Sequence, residues 1–436
     1  MKNLFAFYNT NFMMKGVKNP EKIFIYAIAL TLFILQSYYF AEKNDFRYPP
    51  DEPTHISYIC HLKTTSSILP DFEKFVLYSE SGDKTNRPIT LAHPPFYYHL
   101  MKYFAPENPK DIMREFKRLR YVNIAISSIG VLICFFLCFR INLPLSFHIL
   151  YSISLISIPM LSYLAGSVNN DNLAFVGGSI ALLGGVYLLE NRKIAFYLLG
   201  MGVLISLLTK ATAGLQVLIF FFIIFCYWVW SNKRLNFSIH MIFLIFSVIL
   251  PLIYYILMKF LYGTVLPRGQ GDIALPSRYV NTLEYINHFF VNLWTSWSSI
   301  KSHHSIVRHS IFDTYPYLIV LILSIFGLLF IYQNSISLKI NKNIKNIFIV
   351  SKIGFVSLAI FMVVHFIRAY MEYLDIGYLG GLQARYYFPL ISSVFILAYL
   401  PLLGKSKKLP IFSFLLIFLI LFGFLYSNFY YFFFIY

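Results

Sequence analysis

Continuously apolar runs of about 20 residues, the length of helix that crosses a hydrocarbon core, recur along almost the whole chain and leave little room for any other architecture. Hydrophobic residues make up 58% of the 436 and charged residues only 13%, a balance far from that of a soluble domain. The runs do not alternate apolar with polar, so membrane-spanning strands are excluded as their explanation. Apolar windows predict about eleven transmembrane helices, at 22–41, 121–140, 144–165, 172–189, 194–209, 211–230, 238–258, 314–332, 347–367, 386–403 and 411–434. The first is long, ends in Tyr38-Tyr39-Phe40 and lacks a small-residue cleavage pattern, so it reads as a retained span. The expected fold class is an all-α polytopic membrane protein.

Charge orients it. With the N-terminus in the cytoplasm, the short loops on that side hold fifteen Lys and Arg, against Glu21 and Glu190 as their acids. Basic short loops stay cytoplasmic, which supports a cytoplasmic N-terminus, and the expected location is the plasma membrane. The net charge of +17 is then mostly a topology signal. Nucleic acid is not an expected partner, because no basic folded domain exists to hold it. Three units follow: residues 1–258 with a first external loop at 42–120, a second external loop at 259–313, and C-terminal helices at 314–436. Cys134, Cys138 and Cys226 fall within spans and only Cys60 lies outside, so no external intrachain disulfide is expected.

Ionisable residues avoid the middles of these spans. They collect at one rim: Asp51, Glu52, His93, Asp171, Lys210, Arg368, Glu372, Asp375 and Arg385. A transporter or flippase would place charges or broken helices near the midplane. A rim distribution suits chemistry at the membrane–water boundary instead.

The first external loop opens with Tyr48-Pro49-Pro50-Asp51-Glu52-Pro53-Thr54-His55 and later carries His93-Pro94-Pro95-Phe96-Tyr97-Tyr98. Ile56, Tyr58, Ile59 and Leu62 follow at near-helical spacing, and a second helix is expected after Pro95. Both are expected to be interfacial. Asp51 is suited to cap the first of them, with Pro53 in its first turn. A capping carboxylate stays ionised and fixed, so capping does not conflict with a role as a base. Glu52 either supports Asp51 or is a solvated loop carboxylate, and His93 either serves the site or is exposed at a turn.

These motifs resemble the GT-C class of integral-membrane glycosyltransferases, which includes protein O-mannosyltransferases, aminoarabinose transferases and bacterial relatives. That class has an acidic pair at the start of the first external loop, similar to Asp51-Glu52. Its mannosyltransferase branch has a later His-Pro-Pro, similar to His93-Pro94-Pro95. Asn169-Asn170-Asp171 and Ala384-Arg385-Tyr386-Tyr387-Phe388-Pro389 also resemble bacterial members. A C-terminal soluble domain such as oligosaccharyltransferases carry is not expected here, which makes a protein acceptor the less expected one.

The resemblance implies a GT-C-like fold in a bacterial inner membrane. It also implies transfer of a sugar from a polyprenyl-phosphate donor to a hydroxyl of a glycan, lipid or protein. Asp51 would be the general base, with Glu52 orienting it or holding the acceptor. The lipid phosphate that leaves needs cations aimed at it. Lys210 and Arg385 are the candidates, each against the alternative of snorkelling to lipid headgroups. Asp171 reads mainly as a helix cap, with support of the site as a lesser role. The class leaves a divalent cation open, since some members need one and others do not.

In the second external loop, Arg268-Gly269-Gln270-Gly271-Asp272 reads as a turn, and Tyr279 to Trp297 as a further interfacial helix. His303, His304 and His309 lack the carboxylate or cysteine spacing of a metal site. A surface-polysaccharide polymerase or ligase is the competing function, but it leaves the early Asp-Glu and His-Pro-Pro unexplained.

Overall fold

The computed structural model describes residues 19–65, 67–89, 91–232, 239–267, 281–298, 311–334, 342–377, 379–403 and 418–423. The predicted turn at 268–272, the three histidines at 303–309 and the eleventh predicted span apart from residues 418–423 lie outside these residues.

The described chain is helical, apart from one small hairpin, and built as a membrane protein. In order it forms α1 Pro20–Lys43, α2 Glu52–Thr65, strands β1 Val76–Tyr78 and β2 Lys84–Pro88, α3 Phe96–Lys102, α4 Pro109–Arg114, and α5 Phe116–Phe139. Then come α6 Leu145–Ile156, α7 Pro159–Ala165, α8 Asp171–Leu189, α9 Ile194–Thr209, α10 Ala211–Asn232 and α11 Ile239–Tyr262. The rest comprises α12 Thr282–Thr295, α13 Ile311–Asn334, α14 Lys342–Ile376, a 3-10 segment Ala384–Leu390 and α15 Ile391–Leu403.

Among the described residues, six helices are long and apolar enough to cross a membrane: α1, α5, α8, α10, α11 and α14. A seventh span arises if α6 and α7, bent by 60° at their junction, count as one. Pro159 opens α7 and has no N–H to continue the ladder of α6, which accounts for the break. At roughly 1.5 Å per residue, the 35 residues of α14 run to about 50 Å. That exceeds a hydrocarbon core of about 30 Å, so α14 is longer than a crossing requires.

Packing follows the small residues. On α1, Tyr26, Ala29, Phe33, Ser37 and Phe40 are buried at three- and four-residue spacing, while Phe24, Leu32 and Leu35 face outward. α8 is the buried centre of the bundle, covered by α5, α9, α10, α14 and the 3-10 segment. Its glycines permit that crowding. A Cβ at Gly178 would collide with the Pro389 carbonyl, and one at Gly184 would meet the Leu199 backbone at 2.6 Å. Close backbone approach through small residues is the usual means by which spans pack in lipid. Here it also fixes the height of the segment that carries Arg385.

The 42–120 segment departs from the expected pair of surface-lying helices in two ways. First, α2 is enclosed by protein: every residue from His55 to Leu62 is buried. A helix resting on lipid by one face would leave the other exposed. Second, residues 76–88 form an antiparallel hairpin with Gly82 at φ 80° in its turn. Ser57 Oγ accepts from Tyr78 N at 3.0 Å and so ties the hairpin to α2. In the second loop, α12 forms within the predicted interval, capped by the Asn281 side chain accepting from Glu284 N at 2.8 Å. Tyr285 and Phe289 bury one face of α12 against Ala369 and Tyr373 in the C-terminal part of α14. Tyr285 stacks on Tyr373 there, with ring centroids 4.9 Å apart.

Candidate functional site

Four of the six predicted site residues meet at one end of the bundle, although they are far apart in sequence. Asp51 precedes α2, Asp171 begins α8, Lys210 is the single residue between α9 and α10, and Arg385 lies in the 3-10 segment before α15. Arg385 Nη2 donates to Asp51 Oδ2 at 3.0 Å, and its Nη1 lies 3.5 Å from Asp171 Oδ2. Lys210 Nζ donates to Asp171 Oδ1 at 2.5 Å. Both cations sit against the Tyr386 ring, Lys210 Nζ at 4.6 Å and the Arg385 guanidinium at 5.5 Å from its centre. The cluster therefore alternates carboxylate, guanidinium, carboxylate and ammonium.

Asp51 adopts φ 60°, a left-handed conformation that Asp and Asn tolerate better than most residues. Its carbonyl accepts the first helical bond from His55 N at 2.9 Å, while the carboxylate reaches Arg385. Asp171 does not cap α8 with its side chain: the Asn169 amide oxygen accepts from Asp171 N at 2.9 Å instead. The Asp171 carboxylate is free to hold the two cations, so its lesser expected role is the one its geometry favours.

Neither cation reaches for headgroups. The side chains of Arg385 and Lys210 are 3% and 4% exposed, too enclosed for snorkelling. Arg385 Nε and Nη1 are buried donors without a hydrogen-bond acceptor among the described residues. Nη1 has its 3.5 Å ion pair with Asp171, which leaves Nε as the donor without a partner, and a buried guanidinium donor of this kind suits an anionic oxygen ligand.

Glu52 is not a solvated loop carboxylate. It is fully buried and takes a two-point contact from Arg120, Nε to Oε1 at 2.8 Å and Nη2 to Oε2 at 2.5 Å. Arg120 also donates to the carbonyls of Ala41 and Asn44 at 2.8 Å and of Asp45 at 3.2 Å. Glu52 Oε1 accepts from Val168 N at 2.7 Å, and Asn169 Nδ2 donates to the Pro50 carbonyl at 3.0 Å. These bonds clamp the end of α1, the Asp51 turn and the Asn169-Asn170-Asp171 loop to one another. Glu52 thus positions Asp51 and Asp171 rather than facing a ligand. Sequence reasoning passed over Arg120, because an arginine where a span begins looks like any interfacial basic residue.

His93 is half-buried rather than exposed, and its ring stacks on His55 at 6.1 Å. His55 Nδ1 lies 2.8 Å from the Tyr98 hydroxyl, and Tyr58 donates to the His93 carbonyl at 3.1 Å. Burial pushes the His55 imidazole down to about 3. Burial and the nearby Lys210 charge hold His93 well below its ordinary value too. Both rings are therefore neutral at pH 7. The unfolded chain binds protons near pH 6.5 that the folded one refuses, so stability falls as pH drops from about 6.5 toward 3. Thermal unfolding should show a lower Tm at pH 5 than at pH 7.5, and His55→Gln should flatten that slope. An unchanged slope in the variant would mean that His55 is not the titrating group.

No group of three or more His, Cys, Asp or Glu side chains that could hold a metal occurs among the described residues. A pocket lined by Asp45, Phe46, Glu80, Met113 and Phe116 lies within the 42–120 segment and includes none of the predicted site residues. No family model, no curated protein and no solved structure matches this chain.

Proposed function

We propose that the protein is a GT-C-like glycosyltransferase that moves a sugar from a polyprenyl-phosphate donor to an acceptor hydroxyl. The observation that carries this reading is the Asp51–Arg385–Asp171–Lys210 cluster, with the unpartnered Arg385 Nε donor at one end of an apolar bundle. A lipid-linked donor keeps its tail in the bilayer, so its phosphate sits at headgroup depth. A buried Arg and Lys at the ends of spans are placed for such a phosphate, and Arg matches it with a planar fork.

In this reading Asp51 takes the acceptor proton as the acceptor oxygen attacks the anomeric carbon. Arg385 and Lys210 stabilise the charge gathering on the phosphate oxygen that leaves. Asp171 holds both cations in place, Glu52 fixes the Asp51 turn, and His93 lines the approach as a neutral ring. The proposal includes eleven spans, a cytoplasmic N-terminus, a bacterial inner-membrane location and the cluster at the outer face. A reporter fused after Asn281 should read external, and one after Asn341 cytoplasmic. Both on one side would overturn the span count.

The direct test supplies purified protein with a radiolabelled polyprenyl-phosphate sugar and a cell-envelope extract as acceptor. Label should pass from the lipid to a water-soluble or lipid-borne glycan. Label that stays wholly on the donor under every acceptor tried, while donor binding is absent as well, would refute the assignment.

A further inference from the structure

The geometry points to a latch: the Asp51–Arg385 ion pair keeps the base engaged until the donor phosphate displaces it, so donor binds before acceptor can be deprotonated. This rests on the lipid-phosphate reading above and adds its regulation. As described, the cluster is charge-balanced, with two carboxylates against Arg385 and Lys210. A carboxylate held by a guanidinium is a weak base, because the partner stabilises its charged form.

The two carboxylates on Arg385 are not equivalent. The Asp171 side chain is 4% exposed and also gripped by Lys210 at 2.5 Å, whereas that of Asp51 is 30% exposed. Asp51 is therefore the partner with room to leave. A donor phosphodiester arriving at Arg385 brings one negative charge into a neutral cluster. The excess is relieved when Asp51 lets go of the guanidinium and turns to the acceptor, where a neighbouring negative charge strengthens it as a base. Asp51 then takes the acceptor O–H proton. The bond between acceptor oxygen and anomeric carbon forms, the bond between that carbon and the phosphate oxygen breaks, and its electron pair leaves on the polyprenyl phosphate. Proton uptake by Asp51 offsets the charge left on the phosphate.

The latch predicts an effect opposite to that of ordinary site residues. Removing the charge of Asp51 relieves Arg385 of a competitor, so the protein should bind phosphate more tightly. Full-length protein in nanodiscs is titrated with a polyprenyl monophosphate, with wild type, Asp51→Asn and Arg385→Lys compared. Asp51→Asn should tighten binding about fivefold, the scale of a partly exposed ion pair, while Arg385→Lys should weaken it. If Arg385→Lys weakens binding but Asp51→Asn leaves it unchanged or weaker, the latch is wrong and the phosphate reading stands. If neither variant alters binding, phosphate does not sit at Arg385, and the functional reading falls with the latch.

Discussion

Asp51→Asn should give a protein that inserts, folds and melts like the wild type but transfers sugar at least about a hundredfold more slowly, the low end of general-base contributions. The expectation of intact folding comes from the backbone. At φ 60° only Gly, Asn and Asp are at ease, so the substitution keeps the turn where most others would strain it. Asn also preserves the size of the side chain and an oxygen for Arg385 Nη2, which now lies 3.0 Å from Asp51 Oδ2. What it cannot do is accept a proton at neutral pH. Transfer rate and Tm measured on the same preparation separate the two effects. Full transfer activity in Asp51→Asn would remove the base from the mechanism, whatever became of the fold.

The second large effect is on stability. Arg120→Met should lower it by about 3–5 kcal/mol, because breaking a buried pair strands the remaining charge. Glu52 would be left without its counter-charge in a fully enclosed site, where burial already pushes its carboxyl pKa up, and three carbonyls, of Ala41, Asn44 and Asp45, would lose their donor. A sharp fall in Tm is the expected readout. Adding Glu52→Gln should recover part of the loss, since the stranded charge goes while Val168 N keeps an acceptor. A wild-type Tm in Arg120→Met would show that the clamp between α1, the Asp51 turn and the α8 loop contributes nothing. No loss of transfer at all in a folded Arg120→Met protein would separate the clamp from the positioning of Asp51.

The contrast between these two residues shows what each level of description can reach. Asp51 stood out because the features that mark it are local: an acidic pair shortly after a long apolar run, beside prolines. Arg120 did not, because its meaning depends on Glu52, 68 residues earlier. The hairpin at 76–88 escaped for a different reason: strands of three and five residues are too short to display a period. The enclosure of α2 escaped because the same pattern of Ile56, Ile59 and Leu62 fits a helix covered by lipid or by protein. Asp171 was read as a cap because acids favour helix N-termini, yet Asn169 performs that task two residues earlier.

By itself, then, the sequence determined the helical membrane class, the approximate bounds of the long apolar helices, and the avoidance of their middles by ionisable residues. Each of these depends on near neighbours: apolar runs long enough to cross a bilayer, and the cost of burying charge among them. Only the tertiary structure decided which charges meet. Arg385 lies 334 residues from Asp51 in the chain, and their pairing depends on α8 being glycine-rich enough at Gly178 for the Pro389 backbone to settle against it. Long-range pairing of this kind is set by how helices pack, and helix packing is decided by shape at every contact at once.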